Sequence, residues 1–245
     1  SEQSQINSLL KCVNTGIHRL RHIIYDMIDV SLIDNNLLIL NYQPLWISHL
    51  LRLLKTELTR PIAERNQTLV VKDFEGSEIM IYGDSERLYQ AFLNVATNAV
   101  KYTPDNGTIT MSGRMLPGFI EITITDTGIG ISPEHQATIF EKFGQLGSTD
   151  LHSSGKTKFK GGGPGLGLPI TRGIIEAHGG TIWVESEGFD EVKMKGSTFH
   201  ILLPTRTEPT DPLITKFFGQ FEQPKPESET EISVQENPSS NNPAA

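Results

Sequence analysis

The chain has 245 residues, 37% of them hydrophobic and 20% charged, with a formal net charge of −8 and a single cysteine, Cys12. That balance suits one globular domain with extensions. It excludes a disulfide framework within the chain and argues against a generic nucleic-acid binder, which needs a basic footprint. No uninterrupted apolar run approaches the roughly 18 residues of a membrane span, and the N-terminus lacks a signal peptide's basic region. The lone cysteine fits a reducing compartment.

Residues 4–33 read as one helix. Ile6, Leu9, Val13, Ile17, Leu20, Ile24 and Met27 recur at alternating steps of three and four, a helical seam of coiled-coil type. Gly16 weakens it locally. A helical hairpin, a dimeric bundle, or packing on the chain's own domain would each bury such a stripe. "LLILNYQ" (37–43) is strand-like, and Pro44 is expected to open a helix through about Arg65 with a bend at Pro61. "TLVVKDF" and "EIMIYGD" read as two short strands. Asp84 is a fitting N-cap for a helix running to about Tyr102, and "PDNG" (104–107) is a turn. Strands "TITMSGRM" and "FIEITITD" follow. The second alternates Ile120, Ile122 and Ile124 against Glu121, Thr123 and Thr125, which predicts one buried and one polar face.

Between about 132 and 163 the periodicity weakens into a long Gly-, Ser-, Thr- and Lys-rich stretch, the kind of loop that is usually functional or mobile. A helix from about 166 to 178 and closing strands in "GGTIWVESEG" and "GSTFHILLP" complete the pattern. Beyond Thr205 the chain is rich in Pro, Glu, Ser and Asn, with seven acidic against three basic residues from Arg206 onward, so about half the net charge lies there. It reads as disordered or a linker, apart from the apolar "PLITKFFGQF". There is no internal repeat.

Three stretches carry chemistry. In the helix 84–102, Leu88, Phe92, Val95 and Ala99 form the core stripe, while Asn94, Asn98 and Lys101 form another with Arg87 on the same side. A solvated face would favour Glu, Lys or Gln over two asparagines, which compete for backbone groups. "DTGIGI" (126–131) holds a carboxylate at a strand end, with Gly128 and Gly130 letting the backbone pass close to a flat ligand. An ordinary Asp-Gly turn has the same letters. "GGGPGLGLPI" (161–170) runs five glycines into an apolar helix with Pro169 in its first turns, the arrangement that offers bare N–H groups to phosphates. It is neither a P-loop nor a dinucleotide fingerprint. A flexible linker is its bland alternative.

Taken in order, these motifs resemble the catalytic ATP-binding domain of sensor histidine kinases, within the wider family of gyrase, heat-shock chaperone and mismatch-repair ATPases. "NVATNAVKYT" is similar to the asparagine motif and "DTGIGI" to the first glycine motif. "IFEKFGQ" matches the phenylalanine motif and "GGGPGLGL" the second glycine motif. The likeness is nearly continuous from about residue 5 to 204. It implies an α+β fold, a two-layer α/β sandwich with a mixed sheet backed by helices and preceded by a long helix. The implied division is 1–35 as the second helix of a dimerisation hairpin, 36–205 as the ATP-binding domain and 206–245 as an acidic tail or linker.

The resemblance also implies roles. Asn98 would coordinate Mg²⁺, with Asn94 a turn away towards the phosphates of ATP. Lys101 would reach a phosphate as a point charge and Tyr102 would sit against adenine. Asp126 would accept from the adenine amino group, and Gly128, Gly130 and Ile131 would line the base pocket. Thr198 would support Asp126 through water. Phe140 and Phe143 would pack the hinge of a lid, and Lys142 would reach the triphosphate. Gly163, Gly165, Leu166 and Gly167 would bring backbone N–H groups to the phosphates, with Pro164 a departure from the family's small residue. Lys156, Lys158 and Lys160 read as solvated loop lysines.

The acceptor histidine of the family, followed by an acidic residue and Arg-Thr-Pro, has no counterpart among the seven histidines, so the chain carries no catalytic nucleophile of its own and reads as a piece of a longer kinase. His18 and His22 lie on the wrong helix, and His178 ends the last one. The implied activity is transfer of the ATP γ-phosphoryl group to a histidine and then to a response-regulator aspartate. The implied partners are a histidine-bearing hairpin helix, a receiver domain and a second copy in the full-length protein, with this segment cytoplasmic. Other readings are a regulatory nucleotide-binding module without phosphotransfer, a conformational ATPase, or a serine kinase of the same fold.

Overall fold

The computed structural model of the protein describes residues 2–142, 159 and 165–205. Phe143, Lys156, Lys158, Lys160, Gly163, Pro164 and the segment 206–245 lie outside the described residues. The elements in chain order are α1 (Glu2–Asp34), β1 (Gln43–Trp46), α2 (Ile47–Glu64), β2 (Thr68–Val71), β3 (Met80–Gly83), α3 (Ser85–Tyr102), β4 (Thr108–Leu116) and β5 (Phe119–Asp126). A short α4 (Pro133–Gln136), a 3₁₀ turn (Thr138–Phe140), α5 (Gly167–Ala177), β6 (Thr181–Glu185) and β7 (Ser197–Pro204) follow. No helix among the described residues is long and apolar enough to cross a membrane.

A five-stranded mixed sheet has the order β2-β4-β5-β7-β6. β2 and β4 are parallel, so the chain must cross over between them, and it does so through β3 and α3. The other pairs are antiparallel. β1 and β3 form a separate antiparallel pair. The alternation in β5 places Ile120, Ile122 and Ile124 on the helix-facing side, fully buried with Ile109, Met111, Phe92 and Ile201. α3 lies between α2 and α5 and sends Leu88, Phe92, Val95 and Ala99 into this core as its periodicity requires. The result is the expected α+β sandwich.

Both ends of α3 are closed by groups from elsewhere. At the start, the Asp84 carboxylate accepts from the Arg87 amide at 3.0 Å and from the Asn41 amide at 2.9 Å, while the Asp84 amide donates to His178 Nε2 at 2.9 Å. His178 Nδ1 lies 2.8 Å from the Ile174 carbonyl, which makes it the donor nitrogen of a neutral ring. At the far end, Arg65 donates to the carbonyls of Val100 and Thr103, each at 2.8 Å, and to Asp105 at 2.7 Å. Gln67 Nε2 reaches the same two carbonyls. Carbonyls that a helix C-terminus leaves unpaired are thereby satisfied.

Two local expectations fail. Pro44 does not open a helix: it sits inside β1 opposite Tyr82, where an edge strand tolerates its missing N–H, and residues 37–42 are irregular with Ile39 turned to solvent. Glu121 does not lie on an open polar face, being only 2% exposed. On the sheet's outer side it accepts from Arg114 Nε and from His200 Nδ1 at 2.7 Å, and Trp183 stacks on His200 with centroids 4.8 Å apart. Burial raises the Glu121 carboxyl's pKa, but hydrogen bonds and charge from Arg114 and His200 outweigh it and hold the group below its ordinary range.

The seam of α1 is not packed on its own domain. Ile6, Leu9, Val13, Ile17, Leu20, Ile24 and Met27 are each 47–66% exposed, whereas Val30 and Ile33 near the helix end pack against the core.

Candidate functional site

The site grows from β5, α3 and the start of α5. At the end of β5, the side-chain alternation that buries Ile120, Ile122 and Ile124 also buries Asp126, which is 5% exposed. Burial pushes its carboxyl up to about 6, against the opposing pull of backbone N–H donors at Gly128 and Ser197. The Gly128 amide donates to Asp126 Oδ1 at 2.8 Å. A Cβ at Gly128 would collide with the Tyr102 carbonyl, so only glycine lets the turn press against the end of α3. Ile129 then donates to that same carbonyl at 3.2 Å. Gly130 has φ +74 and would collide with the Gly188 carbonyl if substituted.

The stretch 186–196 braces this turn from outside. Ser186 Oγ accepts from the Ile131 amide at 3.0 Å and donates to the Gly196 carbonyl at 2.6 Å. The Gly196 amide donates to Gly128 O and the Asp190 amide to Ile129 O, each at 2.8 Å. Sequence reasoning missed Ser186, because a serine after a strand signals nothing beyond a turn.

On α3, Asn94 Nδ2 donates to the Gly167 carbonyl at 3.1 Å, which seats the first residue of α5 beside the asparagine stripe. Asn98, one turn on, is half-buried and its side-chain amide makes no hydrogen bond to any described residue. The Lys101 ammonium lies 4.6 Å from the Tyr102 ring centroid. Gly165 has φ +71, Leu166 is buried, and α5 starts at Gly167 without a side-chain cap, so its first amides have no side-chain acceptor from the cap residue. Asn94, Asn98, Lys101, Tyr102, Asp126, Gly128, Gly130, Ile131, Gly165, Leu166 and Gly167 thus belong to three segments that meet along α3.

Other expected residues are placed differently. Thr198 is on the outer face of β7, 3.1 Å from Thr125 Oγ1, while Asp126 pairs in register with Ser197 on the inner face. Strand alternation separates the two, and Ser197 is the neighbour of Asp126. Lys142 pairs with Asp34 at the end of α1. Arg87 is bound to Asp29 of α1 at 2.7 Å. Phe140 is buried edge-on to Phe199.

Chemically, the assembly offers a buried anionic acceptor at one end, a neutral amide oxygen in the middle and, at the other, helix N–H groups without a side-chain cap among the described residues. That sequence of groups complements a flat base with an amino group, a hard cation and phosphates.

Residues 83–207 match the family model described as histidine kinase-, DNA gyrase B-, and HSP90-like ATPase. The chain is 30% identical over 206 residues to the circadian input-output histidine kinase CikA of Synechococcus elongatus, covering 83% of this chain and 26% of that protein. It spans less than half the length of the first curated relatives it matches. Among solved structures, full-length ShkA in complex with AMPPNP superposes with a TM-score of 0.69 at 26% identity, over 83% of this chain and 40% of that one. The histidine kinase ThkA in complex with the response regulator protein TrrA gives 0.57 at 21% identity, over 79% and 49%. The latter likeness is one of fold.

Proposed function

The chain belongs to the histidine kinase-, DNA gyrase B- and HSP90-like ATPase family, and from that premise we propose that it is the ATP-binding catalytic part of a sensor histidine kinase. The observation that carries this reading is the convergence of three motifs on α3: Gly128 against Tyr102, Asn94 on Gly167, and Asn98 between them with its side-chain amide unpaired among the described residues.

In this reading Asp126 accepts a hydrogen bond from the adenine amino group, with Gly128, Gly130, Ile131 and Tyr102 around the base. A buried acceptor matched to a donor discriminates strongly against a base that lacks it. The amides at Gly163, Gly165, Leu166 and Gly167 and the positive end of α5 take the phosphates, with Lys101 as a point charge and Lys142 as a second once it releases Asp34. Asn98 fits Mg²⁺: its side chain is a neutral oxygen donor without a described partner, and the phosphates supply the negative ligands a hard cation requires. When bound, the metal neutralises charge developing on the transferred group.

In the transfer, a histidine ring nitrogen bonds to the γ-phosphorus as the bridging bond to the β-phosphate breaks, and ADP departs with the electron pair. The protein's contribution is positioning and charge stabilisation. The acceptor is assigned to a helix that pairs with the exposed seam of α1, residues 1–35 being the second hairpin helix, 36–205 the ATP-binding domain and 206–245 a tail or linker. A response-regulator receiver domain is the onward partner, and a homodimer and a cytoplasmic setting for this segment complete the reading.

Calorimetric titration of ADP and a non-hydrolysable ATP analogue, with and without Mg²⁺, tests it against Asn98→Ala and Asp126→Asn. Adenine-specific binding weakened by both changes is expected. A folded wild type that binds neither nucleotide refutes the assignment.

A further inference from the structure

We propose that Asp29, Arg87 and Gln90 are positioning residues that fix the bearing of α1 relative to the nucleotide face. The proposal rests on the functional reading above and adds to it residues that touch neither base nor phosphate.

The three side chains close a ring. Arg87 Nη1 donates to Asp29 Oδ1 and Gln90 Nε2 donates to Asp29 Oδ2, both at 2.7 Å. Arg87 Nη1 also donates to Gln90 Oε1 at 3.0 Å. Asp29 is 7% exposed, in the part of α1 where Val30 and Ile33 reach the core. An apolar residue there would pack at no desolvation cost, and replacing buried ion pairs by apolar residues is often neutral or stabilising. What the polar set supplies is direction: apolar contacts tolerate sliding, whereas a carboxylate bound through both oxygens accepts one register.

The ring is tied to the nucleotide face by two helices. Arg87 and Gln90 precede Asn94 on α3 by two turns and one turn, about 10 Å and 6 Å. Asn94 holds Gly167 at the start of α5. Six residues further along α5, Gly173 meets Ile33 of α1, where a Cβ would come within 2.5–2.9 Å of the isoleucine side chain. The path from Asp29 to α3, to α5 and back to Ile33 is therefore closed. Three helices that meet in a closed path cannot rotate singly. A helix paired with the seam of α1 would inherit a fixed bearing to the phosphates.

Pulsed electron resonance distances test this in the full chain. Nitroxides go on Arg21→Cys, two turns above Asp29, and on exposed Lys55→Cys of α2, in a Cys12→Ser background diluted with unlabelled protein. A 20° swing at Asp29 moves the first label by about 4 Å. The wild-type background should give one narrow distance. Asp29→Ala and Arg87→Ala should shift its mean by several ångströms or at least double its width. Arg87→Lys and Gln90→Leu, which each leave part of the ring, should give smaller changes if the alanine variants fail to fold. ADP affinity should stay within twofold throughout. A broad wild-type distribution, or unchanged distances in the variants, overturns the proposal. So does an equal loss of ADP affinity, which would place the residues in the binding face. A wild type with a narrow distance that binds no ADP refutes the nucleotide reading instead.

Discussion

Asp126→Asn should make the protein more stable at neutral pH while impairing nucleotide binding. Burial raises the Asp126 carboxyl from 3.8 to about 6, and that displacement corresponds to about 3 kcal/mol of penalty on the ionised form. The folded state holds this proton more tightly than the unfolded chain does. The contribution of Asp126 to stability is therefore complete below pH 3.8, falls as pH rises, and is lost above about 6. Asparagine keeps the shape and an oxygen acceptor for the Gly128 amide but has nothing to ionise. Urea unfolding from pH 4 to 8 should show the difference between variant and wild type growing in favour of the variant by up to about 3 kcal/mol. Hydrogen bonds that prefer the charged carboxylate reduce the gain. Parallel profiles for the two proteins would refute the idea that burial of this carboxylate is what the fold tolerates for function. In the same range, ADP affinity of the wild type should fall as pH drops below about 6, because protonation replaces an acceptor with a donor opposite the adenine amino group.

Asn98→Ala should leave stability within about 0.5 kcal/mol, since the side chain has no described partner to lose, yet weaken ADP binding in Mg²⁺ at least tenfold by calorimetry, about 1.4 kcal/mol. Gly173→Ala should cost about 1–3 kcal/mol in thermal or urea unfolding, because its methyl group would lie 2.5 Å from Ile33 Cγ2; adding Ile33→Ala should return part of that loss. Glu121→Ala should cost about 2 kcal/mol at pH 7 by removing a buried carboxylate that accepts from both Arg114 and His200. The folded carboxyl titrates below its ordinary 4.5, so this contribution is present above that value and fades as pH falls through the lower one, which stability profiles of the two proteins would reveal.

The sequence made the sandwich readable where local patterns and the core agree. Asp84 caps α3, Leu88, Phe92, Val95 and Ala99 turn inward, and the isoleucines of β5 follow their alternation. The site was readable where backbone demands specific letters, as at Gly128 and Gly130, which stand where a Cβ would meet a carbonyl. Failures came from groups whose partners are distant in the chain. Glu121 looks solvated until His200 and Trp183, 79 and 62 positions later, are laid beside it. Thr198 and Ser197 differ by one position, and only the β5–β7 register decides which faces Asp126. Asp29 and Arg87 are 58 residues apart, so no periodicity in either helix announces their pairing.

The closed ends of α3 also bear on how freely its sequence can change. A helix normally protects itself through its own propensity and frays from its termini inward, so amide exchange is fastest at the ends. Here Arg65, Gln67, Asp84 and His178 hold the terminal groups. Protection should then be nearly level from Leu88 to Tyr102, with exchange requiring the helical layer to open as a unit. Positions inside such a helix need not be good helix formers, since an asparagine costs only about 0.7 kcal/mol or less against alanine. Its ligand-facing stripe is thus free to be rewritten for a different ligand while the fold is underwritten from outside the helix.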